Sequence, residues 1–388
     1  MNIGIFTDCY YPQINGVVTS VMMLQEELEK RGHNVTIITV KVPHHIEERE
    51  NVIRIKSIPI IRMNEFRLGI PFNVPLIKMI KALKLDLVHT HTEFSVGLLG
   101  KYMARVLDIP LVHTYHTMYE DYTHYIYNLK YGQRVVKKMV AKSCKIYTKK
   151  YSCIIAPTDK TLVSLRRYGI KNDIHILPTG IDIDKFGKIE ADDSKILALR
   201  KSHHIEETDF VLLSLGRISK EKNLEFLLDQ MPELIKVHKQ LKLVIVGDGP
   251  YLSQLLKQCE ELDLHEHVVF VGRVPYEEIG QYYKMANIFI SASYTETQGL
   301  TIIEAMASNL GVIVYDDTNV QGIVMEGESG RLFKTEAELR YQIADAINHP
   351  DKTVTMRNRG LEIVSSLSKE SYAENAEKIY NLLVEKHM

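Results

Sequence analysis

Ile288-Phe289-Ile290-Ser291-Ala292-Ser293-Tyr294-Thr295-Glu296-Thr297-Gln298-Gly299-Leu300-Thr301-Ile302-Ile303-Glu304-Ala305-Met306-Ala307 is the stretch that decides the fold of this 388-residue chain. A short apolar run at 288–290 gives way to a polar loop, then to a segment whose apolar face begins at Leu300. That is strand, loop and helix, as at the carboxyl edge of a parallel sheet covered on both faces. The first turn of such a helix presents backbone amides without intrahelical acceptors, and these together with the helix dipole favour an anion. Gly299 lets a phosphate or sugar come close to the backbone, with Thr297, Gln298 and Leu300 beside it. Glu296 and Glu304 are about two turns apart if both are helical, with Glu296 at the helix mouth, so they could bind two hydroxyl-bearing parts of one ligand. The plainer alternative makes Glu296 a capping acid and Glu304 part of a solvated face.

Outward from this stretch the pattern repeats. Apolar runs at 210–215, 243–246, 268–271 and 312–314 alternate with helix-like segments. The first half does the same: a strand at 2–7, an amphipathic helix at 17–31, a strand at 34–40, and runs at 87–89, 110–114 and 153–156. The expected fold class is α/β, with two Rossmann-like doubly wound domains facing across a cleft. The expected boundaries are 1–180 for the first domain and 181–370 for the second. A C-terminal helix at 371–388 is expected to pack back toward the first domain. The join falls at Leu177-Pro178-Thr179-Gly180-Ile181-Asp182, where proline and glycine interrupt both periods. In such sheets ligands bind beyond the carboxyl ends of the strands.

Those strand ends carry the candidate chemistry. Leu215-Gly216-Arg217-Ile218-Ser219-Lys220-Glu221-Lys222-Asn223 gathers cations at a βα turn, where the fork of Arg217 and the point charge of Lys222 could hold a diphosphate; a solvated basic loop is the alternative. Gly247-Asp248-Gly249-Pro250 is a second such junction, without the third glycine of a dinucleotide fingerprint. In the first half, Tyr11-Pro12-Gln13-Ile14-Asn15-Gly16-Val17-Val18 puts Gly16 at a helix entrance. His89, His91, His113 and His116 cluster near two strand ends; the spacings are usable for a metal, but no cysteine or paired carboxylate completes a set, and hydrogen-bonded histidines are the simpler expectation. Asp182-Ile183-Asp184 lies in the hinge and reads as structural.

Composition sets the limits. The apolar fraction of 45% suffices for two cores. The four cysteines are far apart and form no C-x-x-C pair, which argues against a zinc site or a disulfide framework. No signal-peptide pattern precedes the first strand, which points to the cytoplasm, and no apolar run is long enough to span a bilayer. The net charge of -1 hides an asymmetry: residues 1–186 carry 26 basic and 17 acidic side chains, while the rest carry 22 and 32. A basic first half suits a polyanionic surface, either membrane or nucleic acid.

The Glu296-to-Glu304 pair, the turn from Gly216 to Asn223, Gly247-Asp248-Gly249-Pro250 and Pro178-Thr179-Gly180-Ile181-Asp182, in this order, resemble the retaining glycosyltransferases of the GT-B fold, family 4-like, across nearly the whole chain. The resemblance implies that Glu304 binds the donor ribose and that Arg217 and Lys222 hold the diphosphate. It gives Glu296 and the amides around Gln298, Gly299 and Leu300 the transferred sugar, Gly16 the phosphate, and His116 the sugar near the reaction centre. It also implies front-face attack in which the leaving diphosphate helps deprotonate the acceptor, with no bound metal or cofactor, although a magnesium requirement stays open. One departure is Asn309-Leu310-Gly311, where relatives read Gly-x-Pro, which leaves the geometry of that turn open.

Val88-His89-Thr90-His91-Thr92-Glu93-Phe94 and the segment 113–125 are further similar to bacterial diacylglycerol glucosyltransferases, which implies UDP-glucose as donor and diacylglycerol or a related lipid as acceptor. Residues 122–158 hold eight basic side chains and no acidic one. Lys130, Arg134, Lys138, Lys142, Lys145 and Lys149 step by three or four, with Lys137 beside them, while Val135, Val136, Met139, Val140 and Ile146 fall on other sides. Such a helix suits an anionic membrane surface at the cytoplasmic face; nucleic acid also fits the stripe but is not expected, and a solvated face is the bland alternative. No obligate protein partner is evident. Two other readings stay open at this point: transfer of a second sugar to a glycolipid or another lipid-linked or cell-wall acceptor, and a non-catalytic nucleotide- or nucleic-acid-binding module.

Overall fold

Alternation along buried strands builds the cores of the protein. The structure, a computed structural model, describes residues 1–13, 15–43, 51–60, 63–116, 130–187, 193–317 and 320–387. It separates into two units, Met1–Gly180 with Lys369–Met388, and Ile181–Ser368.

In the first unit, β1 (Asn2–Phe6), β2 (Asn34–Val40), β3 (Val52–Ile55), β6 (Leu87–Thr90), β7 (Leu111–Thr114), β8 (Cys153–Ala156) and β9 (Asp173–Ile176) form a parallel sheet of order β3-β2-β1-β6-β7-β8-β9. A separate antiparallel hairpin, β4 (Ser57–Ile60) with β5 (Met63–Gly69), lies outside it. Ile3 and Ile5 point to one face, against α1 (Gly16–Lys30) and α14 (Lys369–His387). Phe6, Ile38 and Val88 point to the other, against α2 (Val74–Ala82) and α3 (Ser95–Leu107). The remaining helices of the unit are α4 (Lys130–Thr148) and α5 (Asp159–Arg167).

The second unit repeats the plan. Its parallel strands are β10 (Phe210–Leu215), β11 (Leu241–Val246), β12 (Val268–Gly272), β13 (Ile288–Ser291), β14 (Gly311–Tyr315) and β15 (Arg331–Phe333), in the order β12-β11-β10-β13-β14-β15. Val211, Leu213, Val244, Val246 and Phe289 enter one core. Leu212, Leu243, Ile245, Ile288 and Ile290 enter the other, the two-residue period of a sheet buried on both faces. Both units are Rossmann-like, and in each the strand order reverses once, at β1/β6 and at β10/β13.

Two details differ from expectation or complete it. The boundary expected after residue 370 falls after Ser368, because Lys369 already opens α14 and faces Glu26 and Glu27 of α1 at 3.9 and 3.7 Å. The turn at Asn309 is a left-handed helix cap (φ 55°) after α11 (Leu300–Ala307), with Asn309 N donating to Met306 O and Leu310 N to Ala305 O. Gly311 is required there, since a Cβ would lie 2.7 Å from Thr353 Cγ2 and 2.8 Å from Ile288 Cδ1.

Candidate active site

At the reversal between β10 and β13, the loops leaving those strands meet. Residues 216–223 carry a short 3-10 turn, Lys220–Lys222, closed by left-handed Asn223. That turn aims Lys222 at the loop after β13, where its Nζ lies 2.7 Å from Glu296 Oε1. Glu296 is buried, in a loop three residues before the left-handed Gly299 (φ 74°) that starts α11. The two carboxylates are therefore not two turns apart on one helix, as sequence spacing allowed, and the cap position of α11 is held by Gly299. Arg217 and Lys222 line one pocket with Ser214, Gly216, Ser291 and Thr301, the last in the first turn of α11. Two cations and a helix N-terminus converge there, as an anion requires.

Gly247 and Gly249 serve the backbone of this site. A Cβ on Gly247 would lie 1.8 Å from Gly216 O, and one on Gly249 2.1 Å from Ile218 O. Ile218 N donates to Asp248 O and Tyr251 N to Ile218 O, so the turn after β11 is the mould for the turn that carries Arg217.

Glu304 lies inside the unit, 4% exposed, which removes the solvated-face alternative. Tyr283 Oη donates to its Oε2 at 2.9 Å and Tyr276 Oη to its Oε1 at 3.4 Å. Lys185 stands over the Tyr276 ring, 3.5 Å from its centroid. Burial drives the Glu304 carboxyl up to about 7, against the opposing pull of the Tyr283 hydrogen bond, Lys185 and Tyr276. Nearby, Asp182 accepts from Lys185 N at 3.0 Å, a local turn contact.

The first unit holds the remaining candidates. Gly16 is exposed at the first position of α1, whose cap is Asn15, with Oδ1 accepting from Val18 N at 3.0 Å. His116 is partly exposed and its Nε2 lies 2.8 Å from Nδ1 of buried His91. Desolvation, then His113, bring His116 down to about 3, so it is neutral at physiological pH. His113 reaches Glu93 at 3.2 Å, and His89 sits between Tyr380 Oη and Thr114 Oγ1. Among the described residues, no group of three or more histidines, cysteines or acids could hold a metal. At the β1/β6 reversal, buried Asp8 accepts from Thr92 Oγ1 at 2.6 Å, Ser95 Oγ at 2.5 Å and Val96 N at 3.1 Å, tying the segment beside His91 to the end of β1.

On α4, Lys138, Lys142, Lys145 and the following Lys149 are exposed, whereas the side chains of Lys130, Arg134 and Lys137 lie outside the described residues, as does the segment 117–129. Val140 packs inward, but Met139 and Ile146 are 63% and 62% exposed. Seven residues apart, they run along one flank of the lysine row.

Residues 14–185 match Glycosyltransferase Family 4, and residues 195–362 match Glycosyl transferases group 1. The chain is 37% identical to the alpha-monoglucosyldiacylglycerol synthase of Streptococcus pneumoniae, over 98% of this chain and 85% of that one. It is 36% identical to the synthase of the same name from Acholeplasma laidlawii, over 100% and 98%. The chain belongs to the GT-B glycosyltransferases. Solved structures agree on the fold of this glycosyltransferase: sucrose-phosphate synthase from Thermosynechococcus elongatus superposes with a TM-score of 0.80 at 23% identity, covering 99% of both chains. Anabaena HepE in complex with UDP and glucose gives 0.78 at 18%, covering 98% and 100%.

As a hexosyltransferase, the protein must neutralise a leaving group and orient a sugar. In the second unit Arg217, Lys222, Glu296 and the start of α11 come together, and Glu304 of the same helix lies in a hole lined by Tyr276 and Tyr283. Sequence reasoning missed Tyr276, Tyr283, Lys185 and Asp8. Lys185 follows Asp184 directly, yet no pattern joins it to residues 276, 283 and 304, which only the fold assembles.

Proposed function

We propose that this enzyme transfers glucose from UDP-glucose to the free hydroxyl of 1,2-diacylglycerol, with retention of anomeric configuration, at the cytoplasmic face of the membrane. The observation that carries the reading is the full-length likeness to two enzymes named alpha-monoglucosyldiacylglycerol synthase. The pocket lined by Arg217 and Lys222 supports a diphosphate donor. Arg217 and Lys222 take the diphosphate, Glu304 accepts from ribose hydroxyls, and Glu296 with Thr297 and the amides of Gln298, Gly299 and Leu300 holds the glucose. Gly249 keeps the Arg217 turn in shape. Gly16 and His116 keep the assignments that the resemblance implies, phosphate and sugar.

As the glycosidic bond to the diphosphate breaks, negative charge grows on the leaving oxygen, and cations already in place stabilise it without reorganisation. That oxygen accepts the proton of the diacylglycerol hydroxyl, whose oxygen attacks from the same side as the departing group. Retention then needs no carboxylate nucleophile, unlike the two-carboxylate route of retaining glycosidases. The charge on the diphosphate is met by side chains, so turnover is expected to survive EDTA within about twofold. The exposed lysines of α4 with Met139 and Ile146 support an anionic lipid surface over nucleic acid, since lipid welcomes both cations and apolar side chains. Among the described residues, no helix is long and apolar enough to cross a membrane.

The test is an acceptor and donor panel: detergent-dispersed diacylglycerol and glucosyl-diacylglycerol, each with UDP-glucose and UDP-galactose, with the product's anomeric configuration read by NMR. The expected result is an α-glucosyl product from diacylglycerol and UDP-glucose. Turnover confined to the glycolipid acceptor would replace this reading with second-sugar transfer, and a product of inverted configuration would remove the front-face route.

A further inference from the structure

The four histidines at the ends of β6 and β7 are not equivalent. His89 has both ring nitrogens occupied, Nδ1 by Tyr380 Oη at 2.6 Å and Nε2 by Thr114 Oγ1 at 2.8 Å. His113 does too, with Thr90 Oγ1 at 2.9 Å from Nδ1 and Glu93 at Nε2. His91 differs. Its Nδ1 meets His116 Nε2 at 2.8 Å, with the two rings edge to edge, inclined by 22° and their centres 5.1 Å apart, while its own Nε2 is buried and meets no polar atom among the described residues.

A neutral imidazole carries one ring proton, and desolvation holds both His91 and His116 neutral. One proton must therefore lie between His91 Nδ1 and His116 Nε2. If His116 supplied it, the single proton of His91 would sit on Nε2, a buried N–H with nothing to donate to. If His91 supplies it, Nε2 is left as a bare lone pair, and the proton of His116 goes to Nδ1. An orphaned buried N–H is the rarer defect in folded chains.

We propose that His91 is a positioning residue that donates from Nδ1 to His116 and so fixes His116 as the Nδ1–H tautomer, a permanent hydrogen-bond donor and not a base. His116 then selects a substrate oxygen with a free lone pair, a sugar hydroxyl or a phosphate oxygen. It has no nitrogen available to take the acceptor proton, since Nε2 is engaged and Nδ1 is protonated. The ligand half of this inference rests on the proposed function; the tautomer does not.

The experiment is ring-15N histidine NMR on the full chain without substrate, paired with transfer kinetics. In the wild type, His116 is expected to show a protonated Nδ1 and a bare Nε2. His91→Phe removes the donor, so His116 is expected to move to the Nε2–H form that an unconstrained imidazole prefers, and kcat/KM to fall about tenfold or more. His91→Asn places an amide N–H where Nδ1–H stood, and is expected to restore the His116 tautomer and recover activity relative to His91→Phe. A wild-type His116 protonated at Nε2, or a His116 tautomer unchanged in a folded His91→Phe, would overturn the inference. Correct tautomers together with no transfer to any lipid would leave the His91 assignment standing and sink the proposed acceptor instead.

Discussion

Glu304 is a carboxyl whose own hole resists its charge. Its folded value of about 7 lies above the 4.5 of an unperturbed glutamate, so between those values the folded chain holds a proton that the unfolded chain has released. The stability this proton contributes is complete below about pH 4.5 and is lost as pH rises through about 7, up to about 3 kcal/mol. Glu304→Gln is accordingly expected to flatten the fall in thermal midpoint between about pH 5 and about pH 8, read by calorimetry against the wild type. If the ionised carboxylate is the ribose acceptor, UDP-glucose affinity rises with pH through the same window in the wild type. In Glu304→Gln it is expected to be weaker by about tenfold and indifferent to pH, as titration calorimetry can check. Lys222→Ala removes the ammonium beside buried Glu296 and, under the proposed assignment, withdraws a cation from the leaving group, so kcat should fall by about a hundredfold or more in a transfer assay. These acids and cations were legible because βα turns put chemistry at strand ends. The tyrosines around Glu304 were not, since hydroxyls reaching back from residues 276 and 283 follow no spacing that a linear reading could detect.

Among elements, the strands read true because a sheet covered on both faces demands short β-branched runs, and 210–215, 243–246 and 312–314 are such runs. The β4–β5 hairpin did not, since Pro59 interrupts the first of its strands. Helix α4 was read as a stripe of cations, but its exposed Met139 and Ile146 could be found only once packing showed which apolar side chains go inward. Vesicle flotation separates the two contributions: Lys142→Glu with Lys145→Glu is expected to weaken binding to anionic vesicles, and Met139→Ser with Ile146→Ser to weaken binding at any lipid charge. The paired turns after β10 and β11 make another prediction. Gly249→Ala drives a methyl into Ile218 O and shifts the segment bearing Arg217, so UDP affinity should drop although residue 249 offers the ligand no side chain. Calorimetric titration with UDP checks this, and unchanged affinity would show that the Arg217 turn does not depend on a glycine at 249.

At the scale of the molecule, the basic surplus of residues 1–186 and the acidic surplus of the rest follow the division into two units closely, so the polarity read from the sequence is a property of domains. Two Rossmann-like units were legible from the repeated strand-loop-helix pattern; the last helix belonging to the first of them was an expectation that periodicity alone could not establish. In the structure, Tyr372, Ala373, Ala376, Tyr380 and Leu383 of α14 complete the core over Ile3, Ile5, Leu87 and Val112. Removing residues 369–387 is expected to strip the cooperative unfolding transition from the first unit by uncovering this face, at a cost above about 5 kcal/mol, while the transition of the second unit persists. Differential scanning calorimetry of the truncated and full chains reads both.

That arrangement also bears on how the chain is made. A ribosome releases the whole of the second unit, able to fold, while the sheet of the first still lacks the helix that closes it. The first unit, whose strands emerge before the second unit, is thus finished after it. A chain that lost residues 369–387 would carry a folded second unit attached to an open first one, the kind of half-folded product that chaperones hold and proteases remove.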